Sequence, residues 1–292
     1  LRERLNTRCW NGRFYTHFVK LNPVTIPGVD ESAQLSLSNP MAINRGAATH
    51  DMAVSIIEEY RRRRARTDAF AEWFSIDPPF PDGVFGDEKL IGGAYVNGGI
   101  MPLVGGELAL AAFEHGFEDY GVDILTRYHD MVSTSGESYL WYFPDGTPAR
   151  VETSTSPEAE PTDGWGSSAM LHALVSGLAG IEDRGRSFDA LRLSPRWPAA
   201  QVEDVDIDIG YACSGARVGY EYQRHRAGIE MLVHTEQSAV DFHVLLPDDT
   251  APGSVKVNGA DTPFLTTRIR NSDYLDFAAA VSGETKVSIT FR

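Results

Sequence analysis

Cysteine is scarce in this sequence, and long apolar runs are missing from it. The two cysteines, Cys9 and Cys213, lie in no CxxC or Cys/His spacing. We therefore expect buried thiols at both positions, with neither a zinc site nor a disulfide framework. The histidines also lack metal-ligand spacing and no Ser/His/Asp order is recognisable, so no metal and no cofactor is predicted. No apolar run is long enough for a bilayer, so membrane insertion is not expected.

Basic residues are fewer than acidic ones, which limits the class of partner. The chain has 26 Lys and Arg against 41 Asp and Glu, a net charge of −15. Phosphate binding draws on clustered Lys and Arg, so we expect no nucleic acid and no anionic membrane as a partner, while neutral ligands remain open. The chain opens at Leu1 without a visible targeting peptide. This favours a soluble, cytoplasmic protein and suggests a piece of a longer chain.

Helical periodicity extends to about residue 187. Apolar residues recur at spacings of three and four in three segments that each follow a long loop: Ser32–Asn44, Gly98–Glu114 and Ser167–Ile181. Two amphipathic segments, Thr49–Arg64 and Tyr120–Val132, alternate with them. Buried helices that alternate with amphipathic ones across short turns are typical of a toroid of antiparallel helix pairs. We expect residues 1–187 to form part of such a toroid.

From about residue 188 the periodicity changes to two. Val205, Ile207 and Ile209 alternate with aspartates, which is typical of a half-buried strand. Further strands are predicted over Ala216–Tyr222, Ile229–His234, Val240–Leu245, Ser254–Val257, Tyr274–Ala278 and Val287–Phe291. Residues 188–292 are therefore predicted to form a small antiparallel β-sandwich. The fold class is mainly α with a β domain.

The loops before the three apolar helices are long and carry aromatic and amide side chains. Long loops at one end of a rigid scaffold are where binding concentrates, so we expect a ligand site on this face. A sugar ring stacks on an indole, and its hydroxyls need fixed donors and acceptors, such as the Asn97 amide and the turn at Gly98. The alternative is that each tryptophan only holds a loop against the helix ends. The candidate tryptophans are Trp10, Trp73, Trp141 and Trp165.

Four loop carboxylates are candidates for catalysis. Glycosidic cleavage needs one carboxyl group to protonate the leaving oxygen and another group to activate water. Asp163 precedes a predicted helix, and a cap is its first interpretation. Asp30 and Glu31 also precede a predicted helix, where acidic residues favour the N-terminus, so a structural role competes with a catalytic one. Glu152 follows several aromatic residues and is either a partly desolvated catalytic carboxylate or an exposed loop glutamate.

Two segments of the chain carry a family resemblance. Tyr95–Pro102 reads Y-V-N-G-G-I-M-P, and Glu152 is followed by Asp163–Ala169, D-G-W-G-S-S-A. The first is similar to the Asn/Gly-Gly-x-Trp-Pro start of an inner helix, with Met101 at the usual Trp. The second resembles a trehalase-like Glu, variable loop and Gly-Trp helix start. Both belong to the six-hairpin glycosidase superfamily, the (α/α)6 toroids that include trehalases, glucosidases and α-L-rhamnosidases.

The resemblance covers about residues 1–190 and the strands that follow. It implies the C-terminal part of an (α/α)6 toroid with Glu152 as general base. The general acid would lie before this chain, or Asp30 or Glu31 would replace it. A full ring needs about twice the helices predicted, so an N-terminal half or another polypeptide is expected to cover the apolar helices.

The activity that the resemblance implies is that of an inverting glycoside hydrolase acting on a small α-linked glycoside or oligosaccharide. A phosphate-dependent disaccharide phosphorylase of the same fold is one alternative. A non-catalytic carbohydrate-binding subunit is another, because the chain lacks a clear acid. A polysaccharide lyase is disfavoured, because the loops are poor in the basic residues that uronates would require.

Overall fold

The computed structural model describes residues 1–22, 24–154 and 163–292, which form two compact units. The first unit contains Leu1–His115 and Asp123–Ala173, and the second contains Gly116–Val122 and Leu174–Arg292. This division into compact units differs from the predicted domain ranges 1–187 and 188–292 and does not test them. Those ranges therefore stay a prediction. Within the described ranges, none of the helices has the length and hydropathy needed to cross a membrane.

The helical region predicted before residue 187 is present, although a closed toroid is not shown. The described α-helices are α1 (Arg2–Arg8), α2 (Ser38–Asn44), α3 (His50–Arg64), α4 (Pro102–Glu114), α5 (Glu118–Ser135) and α6 (Gly164–His172). A π-helical stretch, Ala173–Leu178, continues α6, and short 3-10 helices cover Glu31–Ala33 and Val151–Thr153. Helices are therefore present in all five predicted segments, but several of the predicted starts are wrong, and α6, which was predicted to be buried, exposes Trp165 and Leu171.

The starts differ for identifiable reasons. The expected helix over Ser32–Asn44 begins only at Ser38, because Leu35–Ser36 (β1) pairs with Ile76–Asp77 (β2). The helix expected from Gly98 begins at Pro102, since Gly98 has a φ of 102° and Met101 is extended. Proline suits the first helical position because it has no N–H to leave unpaired. The predicted start of α3 is nearly right, and the Thr49 hydroxyl caps it by accepting from the Met52 N–H.

Helices α4 and α6 pack closely through glycine. A Cβ atom added to Gly106 would lie 2.4 Å from the carbonyl carbon of Ala169 and 2.6 Å from the Met170 nitrogen. A Cβ atom added to Gly105 would lie 2.5 Å from the Met170 methyl group and 2.7 Å from the Trp73 indole. Glycine at these two positions therefore leaves room for a close neighbour. The first turns of α4 are in close contact with the backbone of α6 at Ala169 and Met170.

The second unit is built on a nine-stranded sheet. Its central strands are long, with Gly228–Leu245 (β7) paired along Ser272–Phe291 (β11). The remaining strands are Ile181–Asp183 (β3), Ala190–Leu193 (β4), Asp204–Gly210 (β5), Arg217–His225 (β6), Pro252–Val257 (β8), Ala260–Asp261 (β9) and Leu265–Ile269 (β10). Strand β4 runs parallel to β7, so the sheet is mixed and the purely antiparallel prediction is wrong. Hydrogen bonding joins the nine strands, so two separate sheets of a sandwich are not shown.

Candidate active site

Two long loops of the first unit, the one before α4 and the one before α6, are joined by backbone hydrogen bonds. Ile100, just before α4, exchanges two bonds of 2.8 Å with Tyr142. Ser75 N–H donates to the Gly99 carbonyl at 2.8 Å, and Met101 N–H donates to the Trp73 carbonyl at 2.8 Å. The segments around residues 73, 100 and 142 therefore form one layer at the start of α4. The expectation that the long loops gather is consistent with this layer.

The same layer reaches the start of α6 and the segment that bears Glu152. Asp163 N–H donates to the Ser138 carbonyl at 2.9 Å, close to where the Asp163 carboxylate caps α6. On the other side, the Trp141 indole N–H lies 3.4 Å from the Ser154 hydroxyl oxygen. Residues 138–142 therefore connect the start of α6 with the segment that follows Glu152.

Glu152 lies in the 3-10 helix Val151–Thr153 and is exposed. Of the two interpretations of Glu152, the exposed loop glutamate agrees with the structure and the partly desolvated carboxylate does not. Among residues 1–22, 24–154 and 163–292, its carboxylate has no hydrogen-bond or ion-pair partner. The ammonium group of Lys89 donates to the Ser154 carbonyl at 3.1 Å, which brings a cation near this segment. Sequence reasoning missed Lys89, because it is far from Glu152 along the chain.

Asp30 and Glu31 are both engaged in local structure. The Asp30 carboxylate accepts from the Ser32 hydroxyl at 2.6 Å and from the Ser32 N–H at 3.0 Å. These hydrogen bonds lower the pKa of Asp30, whereas a general acid near neutral pH needs a raised pKa. Glu31 forms an ion pair with Lys20. Asp30 caps the 3-10 helix Glu31–Ala33, and these contacts favour a structural role for both residues.

The tryptophans divide into buried and accessible ones. Trp73 and Trp141 are fully buried. The Arg127 guanidinium carbon lies 5.1 Å from the Trp73 ring centroid. Trp10 is half-buried and packs edge-on against Tyr15 at 5.4 Å between ring centroids. Trp165 alone of these four is largely exposed, at 67%. The loop-holding alternative therefore describes Trp73 and Trp141, and the described geometry offers the Trp165 face to a ligand.

Asn97 and Gly98 serve the turn that leads into α4. The Asn97 side chain is fully buried; its oxygen accepts from the Phe80 N–H at 2.7 Å. Its amide N–H groups donate to the carbonyls of Phe80 and Leu90 at 3.1 and 3.0 Å. Gly98 is buried, and its N–H donates to the Ser75 hydroxyl at 3.0 Å. With these groups already paired, the structure favours a structural role over sugar binding for both residues.

A cavity of about 390 Å³ lies between α4 and α6 beside Trp165. Its polar side chains are Glu107, Ser168 and His172, none of which was proposed from the sequence. The signal that could have found the cavity is Glu107, the one carboxylate within the apolar run of residues 100–113. A lone charge on an otherwise buried helix usually has a defined partner or a defined task.

The Glu107 carboxylate is held by two neighbours. The Arg45 guanidinium donates to both of its oxygens, at 2.9 and 3.0 Å. The Asn44 amide donates to Oε2 at 2.7 Å. Burial acts to raise the pKa of Glu107, but these hydrogen bonds outweigh it, so the pKa is lowered. Glu107 therefore stays ionised near neutral pH and can accept hydrogen bonds, but it is poorly suited to donate a proton.

No protein-family model matches the chain, and no curated protein does. Among solved structures, an α-L-rhamnosidase from Dictyoglumus thermophilum matches over 99% of this chain and 27% of its own, with 10% identity and a TM-score of 0.55. The fold resembles part of that enzyme. The chain thus spans well under two thirds of the length of the enzyme it matches.

Two other solved glycosidases match less closely. A Streptomyces avermitilis α-L-rhamnosidase complexed with L-rhamnose matches with 12% identity and a TM-score of 0.49, over 85% of this chain and 21% of its own. A GH127 β-L-arabinofuranosidase from Geobacillus stearothermophilus T6 matches with 10% identity and a TM-score of 0.30, over 67% and 32%. Only the first match is close enough to support the fold. Across the described ranges, no cluster of three or more His, Cys, Asp or Glu side chains could hold a metal ion.

Proposed function

We propose that this chain is part of a glycoside hydrolase and that its long loops form one wall of a sugar site. The observation that carries the proposal is the hydrogen-bonded loop layer at the starts of α4 and α6, with the unpartnered carboxylate of Glu152 beside it. The likeness of the fold to an α-L-rhamnosidase supports the same reaction class. It also makes an α-L-rhamnoside the first substrate to test.

In this proposal Glu152 is the general base of an inverting hydrolysis. An exposed carboxylate without an ion-pair partner is available to take a proton from water as that water attacks the anomeric carbon. The bond to the leaving oxygen breaks at the same time, and an acid on the opposite side protonates that oxygen. The acid is assigned to sequence outside this chain, because Asp30 and Glu31 are held in local contacts.

The test compares Glu152→Gln with wild type in the full-length protein that contains this sequence. With 4-nitrophenyl α-L-rhamnopyranoside and other aryl glycosides, kcat should fall by at least about 100-fold while KM changes little, because only proton transfer is lost. Proton NMR of the first product should show the inverted anomer. Turnover within a few-fold of wild type would exclude Glu152 as the base. A requirement for phosphate would indicate a phosphorylase instead.

A second candidate function is a carbohydrate-binding subunit without catalysis. It is favoured by the contacts of Asp30 and Glu31, which leave Glu152 as the only one of the proposed catalytic residues without a described partner. This alternative predicts saturable sugar binding with no turnover of any glycoside by the full-length protein. A second carboxyl group at about 6.5–9.5 Å from Glu152 in the assembled protein would argue against it.

A further inference from the structure

The cavity beside Trp165 combines a flat apolar face with polar groups, of which Glu107 is fixed by Arg45 and Asn44. Leu103, Ala169 and the Trp165 indole supply the apolar lining, and Glu107, Ser168 and His172 supply the polar atoms. Its volume of 390 Å³ lies at the lower end of the range for small-molecule sites, about 300–1,000 Å³. The dimensions suit a single sugar ring.

The Glu107 carboxylate retains capacity for one more hydrogen bond. A carboxylate offers about four acceptor positions on its two oxygens. Arg45 and Asn44 together occupy one position on Oε1 and two on Oε2. The same contacts hold the remaining acceptor position on Oε1 in place. A ligand that binds there therefore pays a smaller entropic cost, because the Glu107 side chain is already ordered. A ligand hydroxyl is a suitable donor for this position.

The charges around the cavity favour a neutral ligand. The positive charge of Arg45 is offset by its pairing with Glu107, which reduces its attraction for an anionic ligand such as a uronate. The same pairing offsets the negative charge of Glu107, which reduces its attraction for a cation. His172 and the Ser168 hydroxyl add groups that can donate or accept hydrogen bonds. Hydroxyl groups on a ring with an apolar C–H face match all of these features.

We propose that this cavity is a subsite for a neutral pyranose, with the ring stacked on Trp165 and a hydroxyl bound by Glu107. The choice of a sugar as the ligand rests on the proposed function. The site itself is separate from Glu152 in its residues, and it requires no proton transfer. Sugar binding can therefore be measured whether or not the protein turns a substrate over.

The experiment measures binding of L-rhamnose and D-glucose by calorimetry and by saturation-transfer NMR, with choline as a cationic probe. One of the two sugars should bind saturably, with the strongest saturation on the ring protons that face the indole. Trp165→Ala should weaken this binding by about tenfold, since it removes the stacking surface. Glu107→Gln should weaken it by about threefold to tenfold. Trp165→Phe should retain part of the affinity, and it is suited to the test because residue 165 is exposed.

Leu171→Ala is the matched control, because Leu171 is exposed on the same helix but does not line the cavity. Its sugar affinity should equal that of wild type. The inference is overturned if neither sugar binds at tens of millimolar, if Trp165→Ala binds as wild type does, or if choline binds more tightly. Intact binding that depends on Trp165, in a protein that hydrolyses no glycoside, would refute the proposed hydrolase and leave this subsite standing.

Discussion

Residues of the same chemical type differ in this chain according to the contacts that surround them. Asp163 and Asp30 accept hydrogen bonds from backbone N–H groups and act as caps, whereas Glu107 is paired with a guanidinium. Glu152 has no partner in the described residues. A carboxylate that is already bound to its own backbone contributes to local stability, while one that is unpaired or oriented toward a cavity can act on a ligand. The presence or absence of such a partner, rather than position in a loop, separates the structural carboxylates from those that are candidates for ligand binding or catalysis.

The Asn97 amide gives a direct test of a structural role. Asn97→Ala removes three hydrogen bonds to the backbone of Phe80 and Leu90, two of them buried and one partly buried. It should lower the free energy of unfolding by about 3 kcal/mol, because the backbone groups are left unpaired. Urea denaturation measures the loss of unfolding free energy. Asn97→Asp keeps the acceptor for the Phe80 N–H but places a buried carboxylate against two carbonyl oxygens, so it should also destabilise the protein. Unchanged stability with weaker sugar binding would instead restore Asn97 as a ligand contact.

His115 should make stability depend on pH. Its Nδ1 lies 2.9 Å from Nδ1 of His50; burial, with the nearby His50, lowers the pKa of His115 to about 4. In the unfolded chain the His115 imidazole takes up a proton near pH 6.5, whereas in the folded protein it does so only near pH 4. Stability is therefore fully present above about pH 6.5 and falls as the pH drops toward 4.

The measurement is the free energy of unfolding at pH 7 and pH 5 for wild type and His115→Gln. The decrease between the two pH values should be smaller in the variant by about 1–2 kcal/mol, after allowance for partial exposure. An equal decrease in both proteins would show that His115 does not titrate in this way.

At the scale of residues, the sequence predicts contacts between residues that are close in the chain better than it predicts which side chains are buried. Asp163 as a cap could be predicted, since the cap and the N–H groups that it binds are adjacent in the chain. The burial of Trp73 and Trp141 could not, because the other loops determine which side of a loop faces the interior. Lys89 was missed for the same reason, as its contact with Ser154 joins residues 65 positions apart.

At the scale of elements, the glycine contact between α4 and α6 determines where the loop layer lies. Gly106→Ala should destabilise the protein by about 2 kcal/mol, because the new methyl group meets the backbone of Ala169 and Met170, which has little freedom to move. Thermal or urea unfolding measures this loss. Gly164→Ala is the control: a Cβ atom there meets nothing within 4 Å. Equal stability of both variants would mean that α4 and α6 pack less closely than described.

Element boundaries were predicted well where the apolar face of a single helix determines them. They were predicted poorly where pairing between strands determines them. The amphipathic α3 starts within one residue of its prediction. The predicted strands Ile229–His234 and Val240–Leu245 are in fact one strand, β7. Its first half pairs with β6 and its second half with β4, while β11 pairs with nearly all of it. Those distant partners keep the polar stretch between the two halves extended, and the local pattern carries no sign of them.

At the scale of the whole molecule, the helical surface of the first unit exposes apolar side chains. Trp165 and Leu171 are 67% and 60% exposed on α6, a helix whose other side is buried against α4. The α-L-rhamnosidase that shares the fold matches over 27% of its length, so most of that enzyme has no counterpart in this sequence. We propose that further sequence, either an N-terminal half or another polypeptide, covers the part of this surface around Leu171, leaves the face of Trp165 open to a sugar, and contributes the missing acid.

The isolated chain should therefore self-associate. In native mass spectrometry or light scattering, species heavier than the 32.1 kDa monomer should increase with concentration. Leu171→Glu should shift the distribution toward the monomer, because it places a charge in the exposed apolar surface without disturbing a buried contact. Val24→Glu is the matched control, since Val24 is 63% exposed elsewhere in the first unit, and it should leave the distribution unchanged. A monodisperse monomer at high concentration, with Leu171→Glu indistinguishable from wild type, would show that α6 needs no cover and would remove the main argument for a completing polypeptide.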